Sequence, residues 1–121
     1  MKKHGNVLDQ FESVKKYWSP KIIAEVNNDY IKIAKIKGKI VWHDHENEDE
    51  MFYVIKGEFT LHLEDDNVHL NKGDFYVVKK GVKHRPVAKK ECWVMLIETK
   101  DTKHTGKVKS DLTKTIADQL W

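Results

Sequence analysis

The feature that most constrains the fold of this chain is a series of short β-prone runs between Pro20 and residue 98, each ended by a turn signal. Between Phe59 and Leu63, for example, apolar and polar side chains alternate, which is typical of a strand with one buried face. The turn signals are Asn27-Asn28-Asp29, Lys56-Gly57-Glu58, Asp65-Asp66-Asn67 and Lys72-Gly73-Asp74. Short strands with turns every 8 to 12 residues or so, about the spacing of sandwich and barrel proteins, predict an all-β fold.

The segment before Pro20 has a different pattern. Residues 6–18 place apolar side chains at helical spacing, and Asn6 is a suitable N-cap with Asp9 three residues later. The apolar positions are Val7, Phe11, Val14 and Trp18. They predict a short N-terminal helix that ends before Ser19 and packs on the face of a sheet. We therefore expect a helical segment over 1–19, a β-barrel over 20–100 and a C-terminal tail over 101–121, whose structure the sequence leaves open.

The charge balance and the single cysteine exclude several classes of protein. Lysine and arginine number 22 against 19 aspartates and glutamates, and no helix-turn-helix, zinc-finger or RNP-like stretch is present, so we expect no nucleic-acid partner. No apolar run approaches the roughly 20 residues of a membrane span, and the first residues lack the apolar stretch of a signal peptide. Cys92 is the only cysteine, which excludes an internal disulfide framework or a cysteine-rich zinc site. We expect a cytoplasmic protein with no membrane contact.

The stretch WHDHENEDEMFYVIKG, residues 42–57, carries the strongest indication of chemistry. His43 and His45 are two residues apart, so on a strand both imidazoles leave the same face. Glu50 directly precedes an apolar strand, and His84 follows a glycine turn much later in the chain. Three neutral imidazoles and one carboxylate suit one divalent transition metal, namely Fe, Mn, Ni, Cu, Co or Zn. The alternative is that the His-x-His pair marks only a polar loop running into a strand.

Residues 38–57 and 73–88 resemble the two motifs of the cupin family. In that family a glycine precedes His-x-His, a glutamate and a second glycine, and the later motif contains a glycine, a Pro-x-Gly turn, a histidine and an asparagine. This chain departs in three places: four rather than five residues separate Gly38 from His43, Lys79 replaces the turn proline, and Ala88 replaces the asparagine. A β-bulge can absorb the shorter spacing. The positions that bind metal in cupins are all filled, by His43, His45, Glu50 and His84.

The resemblance implies the cupin double-stranded β-helix, a jelly-roll barrel of two antiparallel sheets with the metal inside near its mouth. It also implies a homodimer. Reactions of cupins with this ligand set include dioxygenation, sugar-phosphate isomerisation and decarboxylation, and small single-domain cupins are often called mannose-6-phosphate isomerase-like.

Two functions are therefore open. One is a metal-dependent oxygenase or isomerase that acts on a small polar or anionic molecule, with Glu50 as a candidate catalytic base. The other is a non-catalytic module that binds a metal or a small ligand. An inward-facing acid–base residue close to the metal would favour the enzyme, and a sealed apolar cavity would favour the binding module.

Other conspicuous residues have simpler explanations. His62 and His69 alternate with the apolar positions of their strands, so we expect them at the surface. Cys92 is expected to be a small buried hydrophobic residue. The six basic residues of KKGVKHRPVAKK, residues 79–90, form either a solvated turn or a basic rim that attracts an anionic substrate.

Overall fold

A computed structural model describes residues 3–100 of the chain, so the predicted tail over 101–121 lies outside the described residues. The described part contains a short helix α1 (Val7–Gln10), a 3₁₀ turn (Phe11–Ser13) and seven strands. The strands are β1 (Lys21–Val26), β2 (Asp29–Lys39), β3 (Glu50–Lys56), β4 (Glu58–Leu63), β5 (Asn67–Asn71), β6 (Phe75–Val78) and β7 (His84–Thr99). No helix among residues 3–100 is long and apolar enough to cross a membrane.

Strand β7 joins the two parts of the barrel. Its later residues, from Cys92 onward, lie between β2 and β3 in the antiparallel order β1-β2-β7-β3-β6. Its first residues, from His84 to Val87, pair with β4, which in turn pairs with β5. The β2–β7 pairing shifts register between Ile36 and Gly38, which allows β7 to bend from one sheet into the other. The arrangement confirms the predicted all-β jelly-roll fold. The irregularity lies before Gly38, outside the shortened spacing from Gly38 to His43.

Only the second half of β7 has the apolar content that predicts a strand. The structure extends this strand back to His84, through the basic stretch that was interpreted as a turn or rim. In this first half His84, Pro86 and Ala88 are buried, while the residues between them are more exposed. The alternation is that of a strand, but the high charge of residues 83–90 hides it from a reading based on hydrophobic content.

The N-terminal helix is confirmed but is shorter than the run of residues 6–18. The Asn6 side-chain Oδ1 accepts a hydrogen bond from the Asp9 backbone N–H at 3.1 Å, as the capping pattern predicts. After Ser13 the chain becomes extended, with Val14 at φ −85° and ψ 104°. Phe11 and Val14 are both fully buried, and Phe11 stacks on Trp93 with a centroid distance of 4.7 Å. The segment therefore covers part of the sheet, as predicted, with Phe11 in the 3₁₀ turn and Val14 in extended backbone.

The main core fills the barrel. Alternate residues of the strands point inward, for example Val94 and Leu96 of β7, and Trp18 adds its side chain from the N-terminal segment. Charged side chains lie among these apolar residues: Lys32, Glu50 and Glu98 are each no more than 2% exposed. Buried charges at this depth are costly unless they are paired or bind a metal, so they mark the region of functional interest.

Candidate metal centre

The four residues predicted as metal ligands converge inside the barrel. Glu50 begins β3, His84 begins β7, and His43 and His45 lie in the connection between β2 and β3. All four side chains are buried, and one potential ligand atom from each lies within 4.8 Å of the others. The grouping requires two separate parts of the chain to meet.

Backbone hydrogen bonds bring those two parts together. The His43 N–H donates to the His84 carbonyl at 3.1 Å, and the His84 N–H donates to the His43 carbonyl at 2.9 Å. Close by, the Gly81 N–H donates to the His45 carbonyl at 2.8 Å. This short antiparallel bridge holds the His-x-His segment against the start of β7, so the approach of the imidazoles is determined by the backbone.

Two of the imidazoles are held in a defined orientation. His43 Nδ1 lies 2.9 Å from the carbonyl oxygen of Val41, and His84 Nδ1 lies 2.9 Å from that of Val82. A carbonyl oxygen only accepts hydrogen bonds, so Nδ1 of each ring is the nitrogen that carries a proton. The lone pair of each neutral ring is then on Nε2, and such backbone-oriented histidines are typical of metal sites.

The atoms at the centre of the cluster lack hydrogen-bond partners. Glu50 Oε1 lies 3.3 Å from His84 Nε2 and 3.5 Å from His45 Nε2. Within residues 3–100, none of these three buried atoms has a hydrogen-bond partner. Buried polar atoms in proteins are nearly always satisfied, and three electron-pair donors that face one another would be satisfied by a cation. The cluster can therefore hold a metal ion.

Burial and mutual charge shift the pKa values of these groups. Burial, reinforced by His84, lowers the pKa of His43 to about 4. Burial also opposes the charged form of His45, but the nearby Glu50 carboxylate outweighs it and raises the pKa of that imidazole. Burial alone would raise the pKa of Glu50, yet the side chains of Glu98, His45 and His84 stabilise its carboxylate and hold the pKa well below its usual range.

A second buried carboxyl group lies beside Glu50. In the antiparallel pairing of β3 with β7, Glu98 is directly opposite Glu50. Lys32 Nζ lies 2.6 Å from Glu98 Oε1, and both side chains are fully buried. Burial and the neighbouring Glu50 carboxylate raise the pKa of Glu98 well above its usual range, while Lys32 acts in the opposite direction.

Neither member of this ion pair was predicted as a site residue, although the sequence contains a signal for each. Lys32 shares the inward face of β2 with Ala34 and Ile36, and Glu98 shares the inward face of β7 with Leu96. A charge at the inward position of an alternating strand is unusual and predicts a buried, paired group. In a chain that is 34% charged, these two residues were not distinguished from the many solvated ones.

A small cavity adjoins the cluster at His43 and Glu50. Its volume is about 40 Å³, room for a few water molecules. Apart from those two residues its lining is almost wholly apolar and consists of Trp18, Pro20, Ala34, Ile36, Ile40, Phe52, Pro86, Val94 and Leu96. Any molecule that reaches the cluster through this cavity must therefore be small.

The basic residues of 79–90 do not surround this cavity. Among the described residues that line it, there is no lysine or arginine. Lys79 Nζ instead pairs with Asp49 at 2.8 Å, and the Arg85 guanidinium lies 5.0 Å from the centre of the Trp42 ring. The basic rim considered in the sequence analysis is therefore not supported around the cavity.

The remaining singled-out residues lie where the sequence predicts. His69 is on the outer face, where its Nδ1 lies 2.9 Å from Thr60 Oγ1, and His62 contacts Arg85 on the same face. Cys92 is fully buried, and burial raises the pKa of its thiol to about 12, so it is not a reactive thiolate.

Comparison with known proteins places the fold and the cluster in context. The family described as "Cupin domain" matches residues 31–98. The chain is 33% identical over 86 residues to the uncharacterized protein YdbB of Bacillus subtilis (strain 168). The matched region covers 70% of this chain and 76% of that protein.

Two crystal structures are also similar. A cupin-2 domain containing protein from Shewanella frigidimarina NCIMB 400 shares 42% identity at a TM-score of 0.76, over 78% of this chain and 92% of the other. Protein NMB1881 from Neisseria meningitidis shares 28% identity at a TM-score of 0.74, over 80% of this chain and 99% of the other.

Proposed function

Because this chain belongs to the cupin family, we propose that it is a metal-dependent enzyme that acts on a small polar or anionic molecule. In this proposal His43, His45, Glu50 and His84 bind one divalent transition metal. The observation that carries it is the group of buried, unpartnered donor atoms on His45, Glu50 and His84. The ligand set accepts Fe, Mn, Ni, Cu, Co or Zn, and the candidate reactions are oxygenase-like or isomerase-like.

The charge of the proposed centre favours an anionic or chelating ligand. The three imidazoles are neutral ligands, and Glu50 contributes one negative charge. A divalent ion in this group would leave a local charge of about +1. When bound, the metal would supply Lewis acidity or redox reactivity toward a small molecule that coordinates it.

We propose that Glu50 acts first as a ligand. A carboxylate with a low pKa binds metal well but accepts a proton poorly. The role of catalytic base applies to Glu50 only if a Glu50→Gln variant retains metal and loses turnover. If that variant loses the metal itself, the ligand role is sufficient to explain the residue.

The second candidate is a non-catalytic module that binds a metal or a small ligand. The size and apolar lining of the cavity at His43 favour it, since a volume of about 40 Å³ does not admit a sugar phosphate without movement of the lining side chains. The carboxyl group of Glu98 beside the centre favours the enzyme instead. The two candidates differ in whether a metal-loaded protein turns over any substrate.

The first experiment is elemental analysis of the protein purified without a histidine tag. We expect close to one equivalent of metal in the wild type and almost none in a His43→Ala/His84→Ala variant. A His62→Ala/His69→Ala variant is the matched control, because it removes two imidazoles from the outer face. If the wild type binds no metal even after reconstitution, the proposal is wrong.

The metal that is found directs the activity assays. Iron or copper leads to oxygen-consumption assays with chelating substrates, and manganese, nickel or zinc leads to isomerase and lyase assays with phosphorylated sugars. A metal-loaded protein with no activity in either set, but with measurable affinity for a small ligand, would favour the binding module.

We further propose that the protein is a homodimer that pairs through the sheet of strands β1-β2-β7-β3-β6. The outward side chains of Phe75 and Val77 are 64% and 39% exposed, and their strand β6 lies at the edge of that sheet. The edge strand of a sheet has unpaired backbone N–H and C=O groups, with which a strand of a second copy can pair. We expect sedimentation analysis to give a dimer for the wild type and a monomer for Phe75→Glu, and a monomeric wild type would contradict this proposal.

A further inference from the structure

The ion pair of Lys32 with Glu98 needs an explanation beyond stability. Both side chains are fully buried in the low-polarity interior of the barrel. The desolvation of two charges costs several kcal/mol per ion in typical cases, and apolar residues of similar volume are often as stable or more stable there. Something other than core packing must therefore account for this pair.

The position of the pair relative to the metal cluster supplies that explanation. In the sheet order β2-β7-β3, Lys32 belongs to β2, Glu98 to β7 and Glu50 to β3, so the three residues lie on successive neighbouring strands. Glu98 and Glu50 are directly opposite in register, and both side chains point into the barrel. Directly opposed residues on one face have Cβ atoms roughly 5 Å apart, which is contact distance for two carboxyl groups.

Charge compensation is what allows the two carboxyl groups to face each other. Like charges directly opposite on neighbouring strands are destabilising, and burial strengthens that repulsion. The Lys32 ammonium lies 2.6 Å from Glu98 Oε1, on the strand remote from Glu50. Lys32 therefore offsets negative charge on Glu98, which reduces the repulsion between Glu98 and Glu50 where they lie directly opposite each other.

We propose that Lys32 and Glu98 are positioning residues, which hold the Glu50 carboxylate so that its Oε1 faces His45 and His84. The inference rests on the proposed metal site and adds two residues to it. It predicts that loss of the pair weakens metal binding by about 10- to 100-fold, the usual effect when an outer partner of a metal ligand is removed.

The decisive variant is Lys32→Met/Glu98→Leu, which replaces the ion pair by apolar side chains of similar size. Because both charges are removed together, we expect the metal-free variant to be at least as stable as the wild type toward urea. We expect its affinity for Zn²⁺, measured by competition with a chromophoric chelator, to fall by about 10- to 100-fold. The visible absorption spectrum of the Co²⁺-loaded variant should also change, because the orientation of one ligand carboxylate is no longer held.

The control is a Glu25→Leu/Lys100→Met variant, which removes an ion pair of the same type at the partly exposed end of β1. We expect wild-type Zn²⁺ affinity and a wild-type Co²⁺ spectrum from it. If Lys32→Met/Glu98→Leu folds and binds Zn²⁺ with wild-type affinity and an unchanged Co²⁺ spectrum, the pair has no positioning role and the inference is wrong. If the wild type itself binds neither ion, the proposed metal site is wrong, and the inference is overturned together with it.

Discussion

In the metal-free protein, His43 is expected to make stability depend on pH in the weakly acidic range. Its pKa falls from an ordinary value of 6.5 to about 4, because the imidazole is buried beside His84. In the unfolded chain the ring recovers its ordinary pKa, so between these two values the unfolded state binds the proton more readily. Stability from this group is therefore complete above the unfolded pKa and is lost as the pH falls toward the folded pKa.

The size of the effect follows from the two pKa values of His43. Each pKa unit corresponds to about 1.4 kcal/mol, so the full shift is worth about 3 kcal/mol at low pH. Between pH 7.5 and pH 5 the linkage relation gives a loss of about 2 kcal/mol. The side chain is only 3% exposed, so solvent screening reduces this value little.

The assay is urea unfolding of metal-free protein at pH 7.5 and at pH 5. Because other groups also titrate in this range, the quantity to compare is the loss of stability in the wild type against that in His43→Gln. We expect the wild type to lose about 2 kcal/mol more than His43→Gln over the interval. His69→Gln, which changes an imidazole of the outer face, is the control. Equal losses in the wild type and His43→Gln would refute the conclusion that His43 is held neutral by its surroundings.

Three further predictions concern the cluster and the fold. Zn²⁺ binding near pH 7 should release protons from His45. The Glu50 carboxylate outweighs burial and raises the pKa of His45, so part of the metal-free protein carries a proton on that imidazole. Calorimetry in buffers of different ionisation enthalpy measures the number of protons released, and no release would contradict the prediction. Phe11→Ala should lower the free energy of unfolding in urea by about 3 to 5 kcal/mol and leave the metal content unchanged, since Phe11 is fully buried outside the barrel interior. Loss of metal would contradict this, because it would show that the packing around Phe11 is coupled to the metal cluster. Gly57→Ala should lower the Tm more than Gly73→Ala does. Both glycines have positive φ, but of the two only Gly57 would place a Cβ 2.9 Å from a backbone oxygen. Equal losses of Tm would argue against that close approach.

The sequence by itself determined the local features of this protein. The alternation between Phe59 and Leu63, and the turn signals on either side of it, predict β4 because side-chain alternation is a property of a single strand. The capping of α1 by Asn6 is local in the same sense. The spacing of His43, His45 and Glu50 predicted a shared site, since the three residues lie within one short segment.

Only the tertiary structure decided which distant residues face one another. A pattern of alternation places Lys32 and Glu98 on the inward faces of their strands, but it does not say that β7 lies between β2 and β3. The register that sets Glu98 opposite Glu50, and the bend that brings His84 to His43, depend on pairing between residues far apart in the chain. The volume of the cavity is decided in the same way, because it is the space that side chains from several elements leave unfilled when they pack together.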